Sequence, residues 1–211
     1  MSLVVTEIFH SLNGEGPRLG VPAVFVRLGG CIEPLCPWCD TAYAWHEFTE
    51  MEIDRIMAEV ASHMCRDVVI TGGEPFLQWE KGLEDLHEKL CRKGMRILYE
   101  TSGKAGIPAL KDATVVVSPK YIHGRWHITA DHLANAHWYK FVHAGADDAE
   151  AITRFVGEHR LDPSRVFVMP LGASRREQLE RMGDVFAFCR KSGFTMSPRL
   201  HVLVFDTERG V

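Results

Sequence analysis

Short runs that are apolar from end to end, set between stretches of helical period, constrain this chain more than any other feature. Val68-Val69-Ile70 and Val115-Val116-Val117 leave no alternate position for a polar side chain. A strand with one wet face alternates, so unbroken apolar runs belong to strands covered on both faces, as in parallel sheets. Strands are predicted over Leu3–Phe9, Ala23–Leu28, Asp67–Thr71, Arg96–Thr101, Thr114–Ser118, Trp138–His143, Arg165–Met169 and Leu200–Phe205. Thr49-Glu50-Met51-Glu52 reads as a capping box opening a helix to Met64; Ser174-Arg175-Arg176-Glu177 reads as another, opening a helix that stops near Gly193. Phe76–Lys93 has helical period with Gly94 as its stop, Asp147 or Asp148 caps Ala149–Arg160, and a shorter helix covers Asp131–Ala136.

Strand–helix alternation without a shift in composition predicts one α/β domain over residues 1–211 with a mostly parallel sheet. The count falls short of eight clean units, so the expected architecture is an incomplete (β/α) barrel of about six parallel strands with flanking helices. In such a sheet chemistry collects at the carboxyl ends of the strands. Four unusual segments follow predicted strands: the cysteine loop Cys31-Ile-Glu-Pro-Leu-Cys36-Pro-Trp-Cys39, Thr71-Gly72-Gly73-Glu74-Pro75, Ser118-Pro119-Lys120 and Met169-Pro170-Leu171-Gly172.

The loop can aim three thiolates at one place and has no fourth cysteine beside it. Thiolates select iron–sulfur clusters, zinc or copper(I). Structural zinc and ordinary iron–sulfur carriers use four protein ligands, whereas three thiolates on a four-iron cube leave one iron open. Zinc held by these three and one of the eleven histidines is the alternative. Cys65, Cys91 and Cys189 fall in or beside helical patterns and read as buried thiols. A net charge of −4 gives no basic field for nucleic acid. No apolar run reaches the roughly 18 residues of a membrane span, and the N-terminus has no signal-peptide pattern, so the cytoplasm is expected.

The cysteine loop, the Gly-Gly-Glu-Pro turn and the βα alternation resemble the radical S-adenosylmethionine (SAM) superfamily. Ser11-Leu12-Asn13-Gly14-Glu15-Gly16-Pro17, Val24–Cys31 and Cys39-Asp40-Thr41 are similar, more narrowly, to the 7-carboxy-7-deazaguanine synthases, and the likeness runs to Arg209-Gly210-Val211. The superfamily's spacing is C-x3-C-x2-C; here four residues separate Cys31 from Cys36. A cluster fixes sulfur positions and not the path between them, so a longer loop can serve.

The resemblance implies that Cys31, Cys36 and Cys39 hold a [4Fe–4S] cluster whose fourth iron binds SAM. It assigns Trp38, Cys39, Asp40, Gly73, Glu74, Ser118, Pro119, Lys120, Met169, Pro170, Leu171 and Gly172 to SAM, with the Glu74 carboxylate accepting from its ammonium. Thr41 would ligate Mg²⁺, an oxygen-seeking ion that keeps waters. Leu12, Asn13, Gly14, Glu15, Arg27, Thr71 and the carboxylate of Val211 would contact the substrate, Arg27 by pairing with its carboxylate. Each has a plainer reading: Trp38 shielding the cluster, Asp40-Thr41 capping the loop, Arg27 in a salt bridge, Glu15 organising its own segment, Val211 a free end. His201 is a further donor or a packing residue. The implied reaction converts 6-carboxy-5,6,7,8-tetrahydropterin to 7-carboxy-7-deazaguanine with loss of ammonia, on the route to 7-deazapurines such as queuosine. A flavodoxin or ferredoxin donor and a homodimer are implied too. A glycyl-radical-enzyme activase of the same superfamily and a non-enzymatic zinc or redox module are the rivals.

Overall fold

The computed structural model describes residues 1–211. Its strands are β1 (Ser2–Leu12), β2 (Pro22–Leu28), β3 (Thr49–Glu52), β4 (Asp67–Gly72), β5 (Arg96–Thr101), β6 (Ala113–Val117), β7 (Lys120–Ile122), β8 (Arg125–His127), β9 (Trp138–His143), β10 (Val166–Pro170) and β11 (Thr195–Met196). Its helices are α1 (Ile53–Ser62), α2 (Leu83–Arg92), α3 (Ala130–Asn135), α4 (Ala146–Glu158), α5 (Arg175–Ser192) and α6 (Leu200–Phe205). Nine strands form one sheet in the order β11-β10-β9-β6-β5-β4-β2-β1-β3, and β7 and β8 form a separate hairpin.

The six parallel strands β2, β4, β5, β6, β9 and β10 pair in the order in which the chain makes them. Every crossover therefore steps the same way, which is barrel winding; a doubly wound sheet reverses at a switch point. The barrel is incomplete, as the strand count predicts. The short β11 extends it in parallel at one edge, while β1 and β3 continue it antiparallel at the other.

Alternation along β2 separates the two faces. Val24, Val26 and Leu28 pack outward against Ile53, Ile56 and Val60 of α1 and Leu83, Leu86 and Leu90 of α2. Those helical triplets recur at three and four residues, one face of an α-helix. Each buried leucine contributes about 2 kcal/mol, and Leu86→Ala at the centre of the layer would cost about 2–5 kcal/mol. A second layer sets Tyr139, Phe141 and Val168 against Ile152 and Phe155 of α4 and Val185 and Cys189 of α5. The inward face holds a smaller cluster, Ala23, Val69, Leu98 and Val116. The interior is therefore left partly open.

Several boundaries differ from expectation. Leu200–Phe205 is helix α6, not a strand: β11 already occupies the sheet edge beside β10, and a six-residue apolar run does not by itself distinguish the two states. Thr49–Glu52 is no capping box. It pairs with β1 as an edge strand, and α1 starts after it without a side-chain cap. The predicted Phe76–Lys93 helix breaks at Gly82 (φ 134°) into a 3₁₀ segment, Pro75–Lys81, and α2. α4 starts after Gly145, and Asp148 instead accepts from the Ala144 amide at 2.7 Å. The Ser174/Glu177 box and the left-handed Gly193 stop are formed as predicted. Cys189 is buried, whereas Cys65 and Cys91 are half-buried. No helix is long and apolar enough to cross a membrane.

Candidate active site

The barrel interior opens into a cavity of about 520 Å³, within the range of small-molecule sites. Loops after β2, β4, β5, β6 and β10 line it, together with Lys140 and Val142 of β9, the segment after β1 and the last residues of the chain. Of the predicted site residues, all but Glu74 and Pro119 reach its wall.

The cysteine loop begins where Gly29 and Gly30 leave β2. Lys104, from the loop after β5, donates to the carbonyls of Ile32 and Pro34, both at 2.8 Å, and holds the first half of the loop from the side. The Cys39 amide donates to the Cys36 carbonyl at 3.1 Å, turning the second half back. Burial pushes the Cys31 and Cys39 thiols above their usual range, and Cys36 adds to the rise of both. Lys104 opposes it at Cys31 and Lys120 at Cys39. Three half-buried thiols offset by two lysines suit an anionic group held by thiolates. No three histidine, cysteine or carboxylate side chains close on one point as ligands to a single ion do. A cube asks for a different arrangement, with each sulfur on its own iron.

The two glycines of the next turn serve the protein's own backbone. A Cβ on Gly73 would lie 1.8 Å from the Gly30 carbonyl oxygen and 2.9 Å from the Cys31 Cβ. At Gly72 (φ 141°) it would lie 2.0 Å from the Leu28 carbonyl oxygen. Only glycine lets the end of β4 press against the root of the cysteine loop. Glu74 departs from its expected place. It is fully buried behind the wall. Its carboxylate accepts from the Thr101 hydroxyl at 2.7 Å, the Ser102 amide at 2.9 Å, the Ser102 hydroxyl and the Phe76 amide at 3.4 Å. A carboxylate accepts about four bonds, so the capacity expected for an ammonium is spent on pinning the end of β5 to the Gly-Gly turn. Pro119 is also buried behind the wall.

Elsewhere the plainer readings share the ground. Thr41 donates to Asp40 at 2.8 Å, and Asp40 pairs with Arg199. Burial favours a neutral Asp40, but Arg199 overrides it and holds the carboxyl below its usual range. Arg27 donates through Nε to Glu7 at 2.6 Å, and Tyr43 donates to the same oxygen at 2.9 Å. Its Nη groups stay free of this pair. Ser118 accepts from Lys120 at 2.7 Å. Arg199 and Gln178 both donate to the Gly172 carbonyl at 2.8 Å, shaping the turn after β10. Asn13 is buried with its Nδ2 unpartnered, and His201 packs against Gly14. The tail after α6 returns over the opening, where the Arg209 guanidinium stacks 3.6 Å from the Tyr43 ring centroid and Val211 joins the wall.

Sequence reasoning missed Glu100, Lys140, Arg199, Lys104 and Tyr43. Lys140 lies 2.8 Å from Glu15 and 2.7 Å from Glu100; Arg199 lies 3.6 Å from Glu15. Burial raises Glu15, yet Lys140 and Arg199 together hold it well below the carboxylate range. The one signal was a lysine inside the apolar run Trp138–His143.

An incomplete (β/α) barrel with a three-cysteine loop after its first parallel strand and a Gly-Gly-Glu turn after the next defines an enzyme of the radical SAM class. A family profile described as "4Fe-4S single cluster domain" matches residues 12–106. The 7-carboxy-7-deazaguanine synthase of Pyrobaculum aerophilum is 38% identical over 98% of this chain and 96% of its own length. That of Hyperthermus butylicus is 36% identical over 96% and 92%. The crystal structure of QueE from Escherichia coli superposes with a TM-score of 0.81 at 25% identity, covering 95% of each chain. The chain belongs to the 7-carboxy-7-deazaguanine synthase family. That membership sets aside the activase and the zinc module.

Proposed function

We propose that the cavity binds a carboxylated reduced pterin, 6-carboxy-5,6,7,8-tetrahydropterin, beside SAM and contracts its ring to 7-carboxy-7-deazaguanine with release of ammonia. The observation that carries this is one cavity lined by Cys31, Cys36 and Cys39, by Arg27 with free Nη groups, and by buried Asn13 and Gly14 with half-buried Glu15. When bound, a [4Fe–4S] cluster supplies the electron that opens the sulfonium of SAM for hydrogen abstraction, chemistry that belongs to the cofactor. The three cysteines would hold that cluster.

The chain's own groups bind, orient and exclude water. Arg27, its guanidinium fixed by Glu7, pairs with the substrate carboxylate. Thr41, whose hydroxyl donates to the Asp40 carboxylate, keeps its oxygen lone pairs for Mg²⁺. Asn13 offers its unpartnered Nδ2, and Glu15 is an ionised acceptor; Leu12, Gly14, Thr71 and Val211 complete the pterin wall. Trp38, Cys39, Asp40, Gly73, Ser118, Lys120 and the Met169–Gly172 turn face SAM, with Glu74 and Pro119 supporting from behind. Residues 1–211 act as one cytoplasmic domain, paired as a homodimer and reduced by a small flavodoxin- or ferredoxin-type donor.

Anaerobic reconstitution tests the reading. Four irons and four sulfides per chain are expected, with deazaguanine and ammonia formed from the carboxylated pterin, SAM, dithionite and Mg²⁺. A reconstituted protein that yields neither product refutes it.

A further inference from the structure

Lys140 is a buried charge that the function above leaves without a role. Its side chain, third in β9 and flanked there by Tyr139 and Phe141, is 5% exposed. Its ammonium lies between Glu15, from the segment after β1, and Glu100, from β5. Both carboxylates line the cavity. Arg199 approaches Glu15 from its other side, while Lys120 and His201 face the group from β7 and α6.

Stability alone does not account for this arrangement. Apolar side chains of similar volume usually do as well as buried ion pairs or better. The network is also incompletely satisfied: Glu100 Oε1 and Arg199 Nε are buried without hydrogen-bond partners. A lone buried acceptor is costly, and both carboxylates belong to residues of the cavity wall. Glu15 is gripped by two cations, but the ion pair holding Glu100 is Lys140's. One ammonium thus governs both acceptors on this side of the cavity.

We propose that Lys140 is a positioning residue for the reaction, fixing the orientation and the charge of Glu15 and Glu100 where both face the pterin ring. The inference rests on the pterin reading of the cavity. Burial would lower the Lys140 ammonium, but Glu100 and Glu15 raise it, so it stays charged throughout the working range. Burial pushes Glu100 up, and Lys140 is the leading opposing influence. Removing Lys140 lifts both carboxyls, so each is ionised only at higher pH.

The test uses the full chain with its reconstituted cluster, as wild type, Lys140→Met, Lys140→Arg and Lys140→Met/Glu100→Gln. In Lys140→Met the acid limb of kcat/KM for the pterin should move up by about one pH unit or more, with iron, sulfide and SAM binding unchanged. Lys140→Arg should restore most of the wild-type profile. Infrared titration should show a protonated-carboxyl stretch emerging at higher pH in Lys140→Met than in wild type, and weakened in the double variant. Wild-type turnover with an unmoved Lys140→Met profile overturns the inference and leaves the function standing. Equal loss of iron in Lys140→Met and Lys140→Arg shows a structural role and also overturns it. Absence of product from the wild type overturns the function itself, and the inference with it.

Discussion

Adding one methyl group at Gly73 should separate the two halves of the site. The new Cβ would stand 1.8 Å from the Gly30 carbonyl oxygen, with the Cys31 Cβ 2.9 Å away. Restoring an ordinary contact requires one backbone to retreat by roughly 1.5 Å. Neither can do so by changing a rotamer, because the nearer atom is main chain. The Gly73 amide donates to Leu28 and the Glu74 amide to Gly30, so retreat also strains the two bonds that tie β4 to the cysteine loop. Overpacking of this kind costs about 3 kcal/mol, which for a chain of this size lowers Tm by about 6–12 °C. Because Cys31 adjoins the displaced residue, iron content after anaerobic reconstitution should fall well below wild type. Gly145→Ala is the matched control: its backbone is extended and no atom lies within 4 Å of the new Cβ. Calorimetry and iron and sulfide analysis on the three proteins decide the matter. A Gly73→Ala protein that melts with wild type and binds four irons would show that the turn and the loop do not depend on each other.

Two further outcomes follow from the same geometry. Lys104→Met removes both donors to the Ile32 and Pro34 carbonyls; at about 1.4 kcal/mol of lost restraint, iron should leave to a chelator about tenfold faster, and an unchanged rate contradicts the brace. Burial lowers His87, His132 and His201 below the ordinary 6.5. The unfolded chain then binds more protons than the folded one, so stability is complete above pH 6.5 and declines as pH falls toward the folded values. Thermal melts should show a lower Tm at pH 5.5 than at pH 7.5, with a smaller difference in His132→Gln. A Tm that is level or rises toward acid contradicts this.

The chain's local chemistry determined much on its own. Unbroken valine and isoleucine runs demand cover on both faces, so the parallel sheet and its flanking helices were legible. The Ser174/Glu177 cap and the Gly193 stop were legible too, because both act within four residues. Three closely spaced cysteines narrowed the chemistry to a soft-metal site before any fold was known. What sequence did not carry was decided between distant segments. Leu200–Phe205 became a helix because β11 had taken the sheet edge, and Thr49–Glu52 became a strand because β1 offered one. Gly72 and Gly73 make room for the main chain of Leu28 and Gly30, segments that only the fold sets beside them. Glu100, Lys140 and Arg199 stand alone in the sequence, and only barrel closure brings them to Glu15 and Asp40. A buried charge is intelligible only beside its counter-charge, and that partner is chosen by tertiary packing.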